Sequence, residues 1–115
     1  MLEDVSVTAL HSALDGLAAR QRAISDDIAN VNTPYYRARS VSFEGGLRSA
    51  LANGDDPLGV TPTVTLSDAP VGLTYSNVDI NAETMSSVHT QLAYDLALRA
   101  TGDRFSLLRT AVKGG

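Results

Sequence analysis

The sequence predicts a mostly α-helical chain: two long terminal helices form a coiled-coil-like pair, joined by an irregular segment with a short helix and a short β-hairpin. Three observations carry this. Leu10, Leu14, Leu17, Ile24, Ile28 and Val31 recur with alternating four-three spacing, interrupted only by Gln21. A 3.5-residue repeat of this kind keeps one narrow stripe turned toward a partner helix. Near the other end, Met85, Val88, Leu92 and Leu96 make one apolar stripe, and Tyr94, Leu98, Thr101, Phe105, Leu108 and Val112 make a second. Between the two regions, Asn53-Gly54-Asp55-Asp56-Pro57 is a breaker cluster that ends the N-terminal half.

The first helix is expected over about residues 5–32, roughly 40 Å at a rise of about 1.5 Å per residue. Asp4 or Ser6 supplies its N-cap. Ala9, Ala13, Ala18, Ala23 and Ala29 lie around the stripe, and such small side chains allow close approach on more than one side. Pro34 disfavours helical geometry at Thr33, so the helix ends at or just before that residue. Asn30 and Asn32 then bond the loose carbonyls or take a left-handed turn.

Phe43, Leu47 and Leu51 recur every four residues, which predicts a short helix near 42–52 capped by Ser42. Gly45 and Gly46 weaken it by about 1 kcal/mol each relative to Ala. Val60 to Leu66 alternates with period two, as a short strand does, and Pro62 confines that strand to an edge. Val71-Gly72-Leu73-Thr74-Tyr75 is its expected partner across 67–70; an ordered loop, or a segment mobile until it meets a partner, are the other readings of this stretch. The last helix is expected over about 80–113, opened by Asp79 or Asn81 with acidic groups near the positive end of its dipole. Its change of stripe implies a broad apolar face or a shift of register. Gly102 is a local weak point, and Lys113 with Gly114-Gly115 closes the helix.

A chain of 115 residues suits one compact domain or one elongated subunit. It has no cysteine, which removes disulfides, thiolate chemistry and cysteine-based zinc sites. A net charge of -4 argues against nucleic acid as a partner. There is no Trp, so few large side chains are at hand to fill a thick core. No basic segment followed by an apolar run marks a cleaved signal, and no apolar run is long enough to span a bilayer. Export, if it occurs, is therefore expected to proceed without a cleaved signal peptide.

Candidate chemical sites fall away on inspection. His11 and His89 sit on different helices, and neither reads as having a carboxylate or second His at helical metal spacing. Asp79, Asn81 and Glu83 alternate like the start of a calcium loop. Thr84, however, stands where that loop needs Gly, and Thr90 where it needs Glu. Asp26-Asp27 reads as a solvated face and Asp55-Asp56 as a turn. No nucleophile is paired with a base, and no Gly-rich loop leads into a helix with Lys. The expectation is a protein with no catalytic residue, cofactor, metal or direct small-molecule ligand.

Ser25-Asp26-Asp27-Ile28-Ala29-Asn30-Val31-Asn32-Thr33-Pro34-Tyr35-Tyr36-Arg37 resembles the N-terminal motif of bacterial flagellar rod and hook proteins. In that family the helix ends in Ile-Ala-Asn, two variable residues, Thr-Pro, usually Gly, then Tyr and a basic residue. Ile28, Ala29, Asn30, Thr33, Pro34, Tyr36 and Arg37 match it. Ser25, Asp26 and Asp27 depart from the usual Ala and Asn residues. Tyr35 replaces the usual Gly, which would strain a turn needing positive φ there. Asn77-Val78-Asp79-Ile80, Gln91-Leu92-Ala93-Tyr94 and Arg104 to Val112 resemble the C-terminal part of proximal-rod members of the flagellar basal-body rod family. The likeness covers about two-thirds of the chain; residues 53–76 add nothing to it.

The resemblance implies a structural subunit that polymerises through its terminal helices to transmit torque. It also implies export, without a cleaved signal, by the flagellar type III apparatus to the rod on the periplasmic side of the cell envelope. The implied subunit interface is Leu10, Leu14, Leu17, Ile24, Ile28, Val31, Met85, Val88, Leu92, Leu96, Leu98, Phe105, Leu108 and Val112. Implied partners are further copies, other rod proteins, the rod adaptor, membrane-ring proteins and the export gate. Phe43 and Leu47 match the Phe-three-residues-hydrophobe element read by that gate, although the same pair serves equally as an anchor for the short helix. The rival reading is a small helical adaptor or regulatory module whose stripe binds one partner helix.

Overall fold

The computed structural model describes residues 5–72 and 75–113, with the backbone alone at Leu108. In chain order the elements are α1 (Val5–Ala29), β1 (Arg39–Ser42), α2 (Glu44–Asn53), a 3-10 turn (Pro57–Gly59), β2 (Thr63–Leu66) and α3 (Ile80–Val112). The whole measures 63 × 26 × 14 Å. Its long dimension comes from α1 and α3, which lie antiparallel: Ser76 meets Val31, Ser87 meets Gln21, and Thr90 lies beside Leu17. The expected pair of long terminal helices, with a short helix and a β-ribbon between them, is what the chain forms.

α1 ends at Ala29, three residues before the expected end near 32. The Asn30 amide donates to both Asp26 and Asp27 carbonyls at 3.1 Å, and its side chain donates to the Asp26 carbonyl at 2.8 Å. One residue thereby satisfies carbonyls that the helix end leaves loose. Thr33 then folds back, its hydroxyl donating to Asn30 Oδ1 at 3.0 Å. At the other end Ser6 lies inside the first turn of α1 and is no cap; Asp4, the alternative, lies outside the described residues.

Two expectations about the middle of the chain are corrected. Ser42 does not cap α2: it is the last residue of β1, and Phe43 stands at the cap position without a side-chain bond. The strand partner of β2 is β1, paired antiparallel with Arg39 opposite Leu66 and Ser42 opposite Thr63. Gly72 N–H instead donates to Ser76 O at 2.8 Å and Tyr75 N–H to Gly72 O at 3.1 Å. Leu73 and Thr74, the centre of the expected partner strand, lie outside the described residues. The β1–β2 pairing wins because β1 can bury Val41 against α1, whereas every residue of β2 is exposed.

Asp79, rather than Asn81, caps α3, accepting from the amides of Asn81 and Ala82 at 3.0 and 3.2 Å. The helix runs through Gly102 without a break and reaches Lys113 as its C-cap; Gly114 and Gly115 lie outside the described residues. The buried apolar side chains centre on Leu17, Ala23, Ile24, Val41 and Phe43. The core is thus a thin layer between α1 and the β1–α2 arm.

Candidate functional site

The two sequence motifs, some forty residues apart, meet in one corner. Tyr35 N–H donates to Tyr75 O at 2.9 Å, and Asn77 N–H donates to Tyr36 O at 3.2 Å. Asn77 Oδ1 accepts from the Ala38 amide at 2.6 Å, while its side-chain amide donates to the carbonyls of Ser67 and Ala69. The fully buried Ser76 donates to Val31 O at 2.6 Å. Arg37 donates to Ser67 O at 2.8 Å and pairs with Asp68. The corner fixes how the chain leaves α1 and enters α3. Tyr35 adopts φ +65° and Tyr75 φ +64°, a left-handed geometry that costs an ordinary residue about 1–2 kcal/mol. The turn does use the conformation that the usual Gly would take freely.

Asp27 lies at the heart of this corner with no exposed surface, which overturns the expectation of a solvated Asp26-Asp27 face. Its carboxylate accepts from the Tyr36 hydroxyl at 3.1 Å and from the Arg39 amide at 3.1 Å to each oxygen. Burial, and then the bond to Asp27, push the Tyr36 phenol above its ordinary value. Periodicity alone could not reveal Asp27, since a buried carboxylate depends on donors supplied from a distant loop.

A second set of contacts clamps the β1–α2 arm to α1. Arg20 donates through Nη2 to Val41 O at 2.7 Å and takes Glu44 in a two-pronged pair at 2.7 and 2.8 Å. Its guanidinium lies 5.0 Å above the Phe43 ring. The Arg20 hydrogen bonds hold the Glu44 carboxyl down at about 2, against the opposing effect of burial. Beneath the ring lies Gly16, where an added Cβ would fall 2.4 Å from Phe43 Cγ. Phe43 is therefore an anchor in the folded chain, 5% exposed, while Leu47 is half-buried. His11 lies 3.9 Å from Asp15 on the surface of α1. A carboxylate does stand four residues from this histidine, contrary to expectation. The described residues hold no group of three or more metal-binding side chains.

The stripes divide between two fates. Leu17 and Ile24 are buried, and Leu10, Leu14, Ile28 and Val31 are half-buried. On α3 the described residues withdrawn from solvent are Glu83, Ser86, Ser87, Thr90, Ala93, Tyr94, Ala97, Ala100, Thr101 and Arg104, with Thr90 only 4% exposed. Small and polar side chains thus form the three-four seam against α1, and Gln21, the one break in the α1 stripe, donates to Ser87 at 2.8 Å. The apolar stripe of α3 faces outward: Met85, Val88, Leu92 and Leu96 are 57% to 59% exposed. Leu98, Phe105 and Val112 are exposed as well; the Leu108 side chain lies outside what is described. Close approach explains the choice, since small residues let two helix backbones come together where Leu and Met would hold them apart.

No protein-family model matches the chain. It is 29% identical to the flagellar basal body rod protein FlgB of Borrelia hermsii, over 96% of this chain and 97% of that protein. The FlgB proteins of Bacillus subtilis and Salmonella typhimurium are each 26% identical, over 92% of both chains and over 97% and 96% respectively. The resemblance is to the flagellar basal-body rod proteins, and to FlgB among them. The FlgB likeness spans residues 53–76 as well, the stretch in which the motifs alone gave no signal. No helix among the described residues is long and apolar enough to cross a membrane.

Proposed function

We propose that this chain is a structural subunit of the bacterial flagellar basal-body rod, built into a polymer through the outward face of α3. The observation that carries the reading is the inversion on α3. Its small and polar seam is used against α1, leaving Met85, Val88, Leu92 and Leu96 as a continuous uncovered row. Apolar side chains at this spacing suit packing against another helix, and each fully covered one contributes about 1.5–3 kcal/mol. Likeness to FlgB supports the rod as the place where that cover is found. A head-to-tail contact that does not close yields a filament, and side-chain packing along it supplies the stiffness that torque transmission requires. Other rod proteins, the rod adaptor and membrane-ring proteins are the proposed neighbours; chemistry at individual residues has no part in this role. The stripe and further interface residues on α1 and α3 are part of this proposal.

Export by the flagellar type III apparatus, without a cleaved signal, to the periplasmic side belongs to the same reading. Phe43 and Leu47 then act twice: as a segment read by the export gate in the unfolded chain, and as the anchor of α2 on Gly16 after folding. Replacing both with Ala separates the roles. Subunit retained in the cytosol supports the gate role; subunit secreted at normal levels and failing to assemble leaves only the anchor.

The central test replaces Leu92 with Asp, which puts a carboxylate into the proposed contact at a cost of several kcal/mol while leaving the α1 seam untouched. Expected are normal secretion, a folded subunit by circular dichroism, no rod and no swimming. Swimming cells would overturn the reading. A soluble complex of fixed size with one helical partner, in place of a polymer, would mark an adaptor.

A further inference from the structure

We propose that the two ends of the molecule are plug and socket: the C-terminal tip of α3 in one copy docks on the corner between α1 and α3 of a second copy. The two surfaces lie at opposite poles. Gln21 meets Ser87 and Leu17 lies beside Thr90, an antiparallel register that sets Val5, at the described start of α1, about level with Gly102. From there α3 runs on to Val112, about 15 Å further at a rise of about 1.5 Å per residue. Every described side chain from Phe105 to Lys113 is exposed, Phe105, Leu107 and Val112 among them. Phe105 and Leu107 are two residues apart, and at about 100° per residue they leave the helix in nearly opposite directions. A flat surface, such as a membrane, covers only one of them. A socket that surrounds the tip covers both.

The corner has the complementary chemistry. The tip carries Arg99, Arg104, Arg109 and Lys113 against a single acid, Asp103. Arg109 and Lys113 make no ion pair among the described residues. At the corner the balance is reversed: Asp26, Asp27, Asp68, Asp79 and Glu83 stand against Arg37 and Arg39. Asp26, Asp68 and Asp79 are exposed there. Arg37 is committed to Asp68 and the Ser67 carbonyl, and the Arg39 guanidinium lies 5.9 Å over the Tyr36 ring. Among these acids Tyr35, Val71, Tyr75 and Ile80 are exposed, an apolar wall to set against Phe105, Leu107 and Val112. Both tyrosine rings stay in solvent although their backbones carry the strain of positive φ; a docked tip gives them cover. Tip and corner are different surfaces, so each docking event leaves one of each free and the series does not close on itself. The contact rests on the rod reading, to which it adds how copies meet end to end.

The experiment uses two variants of the whole chain. Arg109→Glu with Lys113→Glu spoils the tip, and Asp26→Lys with Asp68→Lys spoils the corner; circular dichroism checks that each is folded. In sedimentation velocity the wild type should form open-ended oligomers. These should shorten as salt rises from about 0.01 M to about 0.15 M and the screening length falls from about 30 to about 8 Å. Each variant alone should associate about tenfold more weakly. Mixed, the two should form a one-to-one dimer and stop, because the intact tip of one meets the intact corner of the other. A wild type that stays monomeric, a variant that associates like the wild type, or a mixture that yields no dimer overturns the proposal. So does wild-type binding to vesicles of phosphatidylcholine and phosphatidylglycerol that the tip variant loses, which would make the tip a lipid anchor. If the corner variant fails to fold, the tip variant decides: added to the wild type it should cap and shorten the oligomers, and unchanged oligomers refute the socket. Leu92→Asp, on the side of α3, should leave the end contact intact, so the end contact and the rod reading fail separately.

Discussion

Gly16 to Ala is the substitution whose outcome depends most sharply on the packing described. In a solvent-facing helix this change stabilises by about 0.8–1.0 kcal/mol, because Ala is the better helix former. At position 16 the new methyl would sit 2.4 Å from Phe43 Cγ and Cδ1 and 2.7 Å from Cδ2. The clash is with the root of the side chain, so a rotation about χ2 does not relieve it. The ring is also capped by the Arg20 guanidinium at 5.0 Å. Phe43 must leave its seat or push the β1–α2 arm away from α1, and overpacking of this kind costs about 1–3 kcal/mol. Net of the helix gain, Gly16→Ala should destabilise by up to about 2 kcal/mol, lowering Tm by up to about 10 °C for a chain of this length. Gly102, in the middle of α3 with open space beside it, provides the control: Gly102→Ala should raise stability by about 1 kcal/mol. Thermal unfolding by circular dichroism reads both. In the double variant with Phe43→Ala the ring is gone, and the Gly16 penalty should vanish as a coupling of about 1–3 kcal/mol. A Gly16→Ala chain as stabilised as Gly102→Ala would refute the Phe43 anchor.

Three further outcomes follow from the contacts. Arg20→Gln should destabilise by about 1–2 kcal/mol, mostly through the Val41 carbonyl and the Phe43 ring, since an ion pair as exposed as Arg20–Glu44 adds only about 0.2–1 kcal/mol. It should also flatten the acid limb of stability between pH 4.5 and 2, where the depressed Glu44 loses its contribution as it is protonated; an unchanged acid titration would count against the pair. Tyr35→Gly should be neutral or stabilising by up to about 1 kcal/mol, as it relieves a positive φ at a residue 86% exposed. Tyr35→Val should destabilise, and denaturant melts of the two variants reversing that order would contradict the strain. In dilute subunit the amides of 105–113 should exchange quickly, because the described side chains at this end of α3 are exposed and helices draw most of their stability from packing. Slow exchange there in the free subunit would show α3 to be self-sufficient.

The helices were legible because their signals are local. The four-three spacing from Leu10, the Pro34 stop and the Asp79 cap each act within a few residues, and the helix bounds depart from them by at most three positions. Orientation was not legible on α3. The most apolar row, Met85 to Leu96, is the natural choice for an inward face, yet the inward face is the small and polar row through Thr90. Side-chain size decided what hydrophobicity could not. The β1–β2 pairing was equally hidden, for Arg39-Ser40-Val41-Ser42 has a single apolar residue and looks like a linker until α1 is there to cover Val41. The roles of Asp27 and Arg20 were hidden because their partners are Tyr36, Arg39, Val41 and Glu44, none of them a sequence neighbour. Family likeness located the corner residues without explaining them. The structure shows the motifs lacing the exit of α1 to the start of α3.

That the outward row of α3 is covered in the assembled rod is the central claim, and the chain's lack of cysteine makes it directly measurable. A single Leu92→Cys thiol should react rapidly with a maleimide in free subunit. In basal bodies purified from cells that carry this variant as their only copy, the thiol should be protected, and denaturation should restore its reactivity. Equal labelling in intact and denatured basal bodies would place Leu92 in solvent and contradict the account.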